Sequence, residues 1–240
     1  MIAITLDTDW APDSILQETL IWLMDHNIKL TVFATHDTQV LRGLAPDRVE
    51  IGIHPNLEPV ALSNVEEVER VLSELKNAYP QAMGVRTHSL VNSTRLMDTF
   101  ARLGFLYDAS VFLPYQPGIR AFRLWNGLVR IPHFWEDDLH CAYGMPFDPM
   151  TLPLAQSGLK VFDFHPVHLF LNTDTLDRYH AAKHYYRQPD ELLKFRNSTQ
   201  GVKTFAQNLL EYVLERKLQT YTMRELADNA SDSPVSLAGC

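Results

Sequence analysis

Two carboxylates one residue apart close the first apolar stretch of the chain, Ile2-Ala3-Ile4-Thr5-Leu6-Asp7-Thr8-Asp9. Alternation puts Ile2, Ile4 and Leu6 on one face of a strand and Ala3, Thr5 and Asp7 on the other, with Asp7 at the C-terminal end. In parallel α/β folds that end is where chemistry is done. Carboxylates this close repel unless a positive group sits between or beside them, and a divalent cation is the usual counter-charge. The competing reading is an Asp pair that only caps the helix opened by Pro12 and Asp13.

Other reactive residues follow the same rule of position. His36 ends the second apolar stretch, His54 the third, Arg86 and His88 the fourth and Asp108 the fifth; Glu136 to Asp138 follow the sixth, and His165 ends the seventh. Six of the ten histidines (His36, His54, His88, His133, His165 and His168) lie at or just past such ends. A parallel barrel gathers all these ends on one face, so residues scattered in sequence converge in space. Carboxylates, imidazoles and an arginine on one face suit metal-assisted hydrolysis with a general acid and a general base.

The elements that must position them alternate. A strand at Ile2 to Asp7 precedes a helix from about Asp13 to Asn27, with Ile15, Leu16, Leu20, Leu23 and Met24 at helical spacing, and a strand at Lys29 to Thr35. Val49 to Ile53 is a third strand, and Ser63 to Tyr79 is a helix capped by Ser63 or Asn64. Strands at Gly84 to Ser89 and Phe105 to Ser110 flank a helix from Ser93 to Leu103 that stops at Gly104. Leu128 to Phe134, Leu159 to Phe164 and Leu218 to Met223 read as strands six to eight, with a helix from Gly201 to Arg216 before the last. Seven or eight strands alternating with helices predict an α/β fold, a distorted, mostly parallel (β/α)7-8 barrel in one domain over residues 1–229. Tyr115 to Gly127 and Asn172 to Gln200 are the long connections, and residues 230–240 read as a frayed tail.

With 240 residues, 46% hydrophobic and 21% charged, the chain has ample material for one core. A net charge of −8 disfavours nucleic acid and anionic membrane as partners, since both need a basic footprint. Cys141 and Cys240 make no disulfide framework. The first strand begins at Ile2, which leaves no room for a signal peptide, and no apolar run reaches membrane-spanning length. The expectation is a cytoplasmic protein without membrane insertion; its oligomeric state is not legible.

In their order along the chain these segments resemble the polysaccharide deacetylases with a NodB-type domain, carbohydrate esterase family 4. Thr5-Leu6-Asp7-Thr8-Asp9 is similar to the family's first motif, which implies Asp7 as base and Asp9 as metal ligand. Glu50-Ile51-Gly52-Ile53-His54 resembles the start of the second, which implies His54 as a ligand. Arg86 resembles the arginine that orients the base, and Gly104 to Ser110 a segment many members carry. Trp135-Glu136-Asp137-Asp138 falls at the fourth motif, with Asp137 or Asp138 keeping the acid protonated, and His165 matches the histidine that serves as general acid. The resemblance thus implies one divalent ion, zinc first and cobalt, iron, nickel or manganese after it, and an N-acylated sugar as substrate.

One departure stands out. The histidine expected four residues after His54 is Glu58. The third ligand is therefore either Glu58, brought beside His54 by a helical turn, or His88, on the same face of a short strand as Arg86; His88 is preferred because it keeps imidazole as ligand. Trp135, His36, His168 and Asp108 are candidate substrate contacts, with an ordinary core tryptophan as the other reading of Trp135. His54-Pro55-Asn56 and Asp163 to His168 resemble most the WbmS-type branch met in lipopolysaccharide O-antigen clusters, which implies surface-polysaccharide biosynthesis. Rival readings are another barrel metal hydrolase acting on a cyclic amide or base, and a carbohydrate-binding protein that has lost turnover.

Overall fold

The computed structural model describes residues 1–60 and 64–231. The alternating apolar stretches become β1 (Ile2–Asp7), β2 (Leu30–Ala34) and β3 (Val49–Ile53), all buried on both faces except Glu50, as parallel strands sandwiched by helices must be. Between them, α1 (Asp13–Met24) buries Ile15, Leu16, Leu20 and Leu23. The next helix, α2 (Val65–Ala78), is capped by the Asn64 side chain on the Glu67 amide; Ser63, the alternative cap, lies outside the described residues. Then come β4 (Gly84–Val85), α3 (Thr94–Arg102), β5 (Tyr107–Asp108), β6 (Phe122–Arg123), β7 (Val129–Arg130), β8 (Trp135–Glu136) and α4 (Asp137–Ala142). The chain continues through β9 (Lys160–Phe164), α5 (Pro166–Leu171), α6 (Leu176–Ala182), α7 (Pro189–Leu193), α8 (Val202–Glu215) and α9 (Met223–Ser231).

Among the described residues nine strands form one sheet in the order β6-β7-β5-β4-β3-β2-β1-β9-β8, parallel throughout except β6 against β7. One continuous segment serves both ends of that order. Val129 and Arg130 pair with β5, the His133 amide bonds to Val111, and Trp135 and Glu136 then pair with β9. The expected sixth strand is therefore two short strands joined by a crossing segment, and through it the sheet curls into a distorted barrel. Gly84 lets the Tyr107 ring lie over its strand, because a Cβ there would overlap that ring, whose hydroxyl donates to half-buried Glu50 at 2.7 Å.

Three expectations need correction. Leu218 to Met223 supplies only a bridge, Thr220 to Ile2, before α9 begins, because a polar turn and the Thr222 hydroxyl on the Glu225 amide start a helix instead. The connection from Tyr115 to Gly127 contains β6, an antiparallel edge strand. The start of the expected tail, Ala230 and Ser231, completes α9, and the rest lies outside the described residues.

The insert from Asn172 to Gln200 is built around α6 and α7. Its own small core joins Ala182 and Leu192 to Ile15 of α1 and to Val167, Phe170 and Leu171 of α5, with Tyr179, Tyr185 and Tyr186 packed against it. That core fixes the insert over the C-terminal ends of β1 and β9. No described helix is long and apolar enough to cross a membrane.

Candidate active site

Asp7 and Asp9 do not cap α1, whose N-cap is Pro12 without a side-chain bond. The chain instead leaves β1 through two consecutive left-handed residues, Asp9 (φ 41°) and Trp10 (φ 55°). That conformation costs a non-glycine residue about 1–2 kcal/mol and persists only where the surroundings impose it. Here the Trp10 amide donates to the Thr35 hydroxyl (3.0 Å) and the Tyr186 hydroxyl to the Asp9 carbonyl (2.8 Å).

The turn aims Asp9 at two imidazoles. His54 Nε2 lies 3.2 Å and His88 Nδ1 3.4 Å from Asp9 Oδ1, and the two rings meet edge to face. Two ligands each about 2.1 Å from a tetrahedral ion sit roughly 3.4 Å apart, so these separations match a shared cation. Asp9 Oδ1 is buried without a hydrogen-bond partner, a costly state that a bound ion removes, while His54 turns its other nitrogen, Nδ1, toward Asp7 Oδ2 at 3.3 Å. The donor set therefore fits a divalent metal. Burial alone would raise the Asp9 carboxyl, yet the neighbouring His165, His54 and His88 outweigh it and hold it far below the usual range.

Behind Asp9 lies a buried charge network. Arg86, fully buried on the face of Phe33, donates from Nη1 to Asp7 Oδ1 (2.9 Å) and to Asp163, which also accepts from the Thr5 hydroxyl (2.6 Å). One guanidinium thus serves two carboxylates. Asp163 is held low because the charges of Arg86 and His165 outweigh its burial, whereas Asp7, for which burial wins, is pushed up to about 7.

On the other side, His165 ends β9 and is fixed by Asp137, the first residue of α4. Asp137 Oδ1 lies 2.6 Å from His165 Nδ1, and its other oxygen accepts the His165 amide at 2.7 Å. His165 Nε2 faces Asp9 Oδ2 at 3.6 Å. Burial would lower this imidazole, but the charges of Asp137 and Asp9 carry it well above its ordinary value. His168 stands behind it, bonded to the Thr173 hydroxyl and grouped with Asp137 and His165.

The structure thus brings together Asp7, Asp9, His54, Arg86, His88, Asp137, His165 and His168. Others fall elsewhere. Glu58 is exposed and joins no cluster, because residues 55–58 form an Asx turn, with the Asn56 side chain on the Glu58 amide, rather than a helical turn over His54. Trp135 is fully buried, stacked on Phe205 (4.3 Å, 3°) with its indole N–H on His140, so it offers no wall to a sugar. Asp108 is also fully buried and spends its oxygens on Arg130 (2.8 Å) and the Ser110 amide, leaving none for a substrate. Asp138 is half-buried with Oδ1 on the Leu139 amide, and His36 sits at the rim. His133, also at a strand end, is buried against Phe112 and bonded to Glu136. The sequence reading assigns no role to Asp163, Thr5 or Tyr186. A lone carboxylate inside Lys-Val-Phe-Asp-Phe was the available signal, since a charge in a buried strand demands a partner.

Comparison with known proteins gives the family and the fold. The profile of the WbmS-like polysaccharide deacetylases matches residues 4–183. The WbmS protein of Bordetella bronchiseptica, assigned to the polysaccharide deacetylases and to O-antigen biosynthesis, superposes with a TM-score of 0.81 at 35% identity, covering 88% of this chain and 90% of its own. Two remoter structures share the fold alone. They are the Bc1960 peptidoglycan N-acetylglucosamine deacetylase (14% identity, TM-score 0.52, covering 94% of this chain and 86% of its own) and a 4-alpha-glucanotransferase of Thermococcus litoralis (13%, 0.51, covering 95% and 38%). No curated protein sequence matches. With an Asp, two imidazoles, a carboxylate on Arg86 and a histidine on Asp137 converging over a barrel whose profile match spans most of the molecule, the chain belongs to the WbmS-like polysaccharide deacetylase family.

Proposed function

We propose that this protein removes an acetyl or similar acyl group from an N-acylated sugar by metal-dependent hydrolysis, as a step in surface-polysaccharide biosynthesis. The observation that carries the reading is the opposition of two tuned groups, Asp7 on Arg86 and His165 on Asp137, across the Asp9, His54 and His88 donors.

Asp9, His54 and His88 would hold the ion, zinc being the best match to two imidazoles and a carboxylate, with cobalt, iron, nickel or manganese as alternatives. Such an ion supplies Lewis acidity for the acyl carbonyl and for the attacking water. Asp7, poised near neutrality, takes the water's proton at the pH where a base is most effective. Arg86 orients that carboxylate through Nη1, and Asp163 holds Arg86. His165 carries the proton for the departing amine on Nε2, while Asp137 fixes Nδ1 and favours the charged ring. Both proton carriers are retained beside the ligands, which supports turnover over a binding-only role. Cys141, a buried free thiol, suits the reducing cytoplasm in which we place the reaction.

The test is metal analysis of the purified protein together with acetate release from N-acetylated saccharides. Asp9→Ala should lose the metal, and Asp7→Asn should keep it and lose turnover. Equal metal loss in both variants would contradict the division of roles.

A further inference from the structure

The peptide unit that joins Asp9 to Trp10 is held at both ends. Its N–H, that of Trp10, donates to the Thr35 hydroxyl at 3.0 Å, and its C=O, that of Asp9, accepts from the Tyr186 hydroxyl at 2.8 Å. Thr35 directly follows β2 and belongs to the barrel, whereas Tyr186 belongs to the insert, 177 residues along the chain from Asp9. A peptide plane is rigid, so fixing both of its ends fixes ψ of Asp9 and φ of Trp10, within a turn where both residues are left-handed. The aim of the Asp9 carboxylate at His54 and His88 therefore depends on a hydroxyl from outside the barrel.

The insert has roots of its own. Arg196 donates from Nε to the Phe170 carbonyl (2.6 Å) and lies over that residue's ring, the Asn197 amide bonds to the Leu171 carbonyl (2.8 Å), and Asn172 donates from Nδ2 to the carbonyls of Asn197 and Thr199. Those bonds tie the insert to α5. Toward the turn, by contrast, the Tyr186 hydroxyl makes the only hydrogen bond between the insert and residues 8–12 among the described residues. Its half-buried ring packs on the small core that the insert shares with α1 and α5. A phenol seated in this way presents its donor on a stiff arm, with little freedom left to lose when it bonds.

We propose that Tyr186 is a positioning residue for the Asp9 ligand, and that its one hydrogen bond couples the insert to the metal. With the hydroxyl in place the carboxylate is aimed before an ion arrives, so binding does not have to impose a conformation that residues other than glycine avoid. Without it the peptide is held only at the Thr35 end and can rotate, and part of the binding energy goes into ordering the turn. The coupling is reciprocal. A bond that favours the ion is favoured by the ion, and with it the docked insert. The inference rests on the metal-dependent reading above for the ligand and goes beyond it in giving the insert a part in holding that ligand.

The experiment compares the full-length parent, Tyr186→Phe and Tyr185→Phe in zinc and cobalt affinity, by competition with a chromophoric chelator. Tyr185, the neighbouring phenol of the same insert, is stacked on Phe195 and serves as the control. Tyr186→Phe should weaken the metal about tenfold, the ratio that corresponds to about 1.4 kcal/mol, and Tyr185→Phe should not. A bond that matters only for folding would lower the urea midpoint in EDTA and leave the affinity of the folded protein unchanged; that result, or equal weakening in both variants, would overturn the proposal. Hydrogen exchange gives a second readout. Zinc added to the parent should slow exchange across residues 174–200, and Tyr186→Phe should lose that slowing; no slowing in the parent would overturn the coupling. In EDTA the Trp10 amide should exchange faster in Tyr186→Phe than in the parent. A parent that takes up no metal would refute the metal-dependent reading and the coupling together, while unchanged Trp10 exchange would refute the positioning role alone.

Discussion

Replacing the proposed base should stabilise the metal-free protein. Arg86 is shared between Asp7 and Asp163, so one buried guanidinium serves two buried carboxylates. Burial, with the Asp163 charge adding to it, outweighs Arg86 and carries Asp7 from 3.8 to about 7. Such a rise corresponds to about 4 kcal/mol, taken as an upper bound because the carboxylates act on one another. The sign follows from proton binding. Between about pH 4 and 7 the folded state holds a proton on Asp7 that the unfolded state has released, so this part of the stability is complete below pH 4 and is lost as pH rises through 7. Asp7→Asn keeps the shape, leaves Arg86 and Asp163 as a balanced pair and cannot ionise. Urea unfolding in EDTA should therefore show the variant more stable than the parent at pH 8 by up to about 4 kcal/mol, and the difference should shrink toward zero near pH 4. A variant equally stable or less stable at pH 8, or a gain independent of pH, would refute the account of a shared guanidinium.

Three further outcomes follow from the site. His88→Ala should weaken metal affinity far more than Glu58→Gln, measured by competition with a chromophoric chelator; the reverse order would move the third ligand to Glu58. His165→Ala should keep the metal, lose most activity and flatten the basic limb of the pH–rate profile, because the ring held charged by Asp137 and Asp9 reports there. Metal loss in that variant would make His165 a ligand instead. Trp135→Ala should cost about 3–5 kcal/mol in a urea titration, as expected for a large buried aromatic, without changing sugar affinity per folded molecule; weakened sugar binding at unchanged stability would return Trp135 to the site.

The residues that sequence could place are those whose position follows from strand ends. Asp7, His54, Arg86, His88 and His165 each close or follow an apolar stretch, and a parallel sheet then forces convergence. Trp135 and Asp108 satisfy the same positional rule and fail, because the rule locates a backbone end and says nothing about which face the side chain takes. The crossing segment from Val129 to Glu136 was hidden for a related reason. Its apolar pattern is that of one strand, and only the partners, β5 first and β9 afterwards, divide it in two. The eighth strand failed because Leu218 to Met223 has a strand's composition, while the bond that the Glu225 amide donates to the Thr222 hydroxyl turns it into a helix start. Asp163 and Tyr186 act through partners far along the chain, Arg86 and the Asp9 turn, which no local pattern encodes.

The pairing of β1 with β9 also sets an order of events during synthesis. The Thr5 hydroxyl donates to the carbonyl of Phe162, 157 residues later. At translation speeds of about 5–20 residues per second, β1 waits roughly 8–30 s with one edge unpaired before its neighbour exists. In that interval β1 to β4 already carry Asp9, His54 and His88, while Asp137, Asp163 and His165 have yet to be made. A nascent chain can thus assemble the donor set first and gain the proton-carrying wall last. Its exposed strand edge in the meantime is the place where a chaperone, or another nascent copy, would find it.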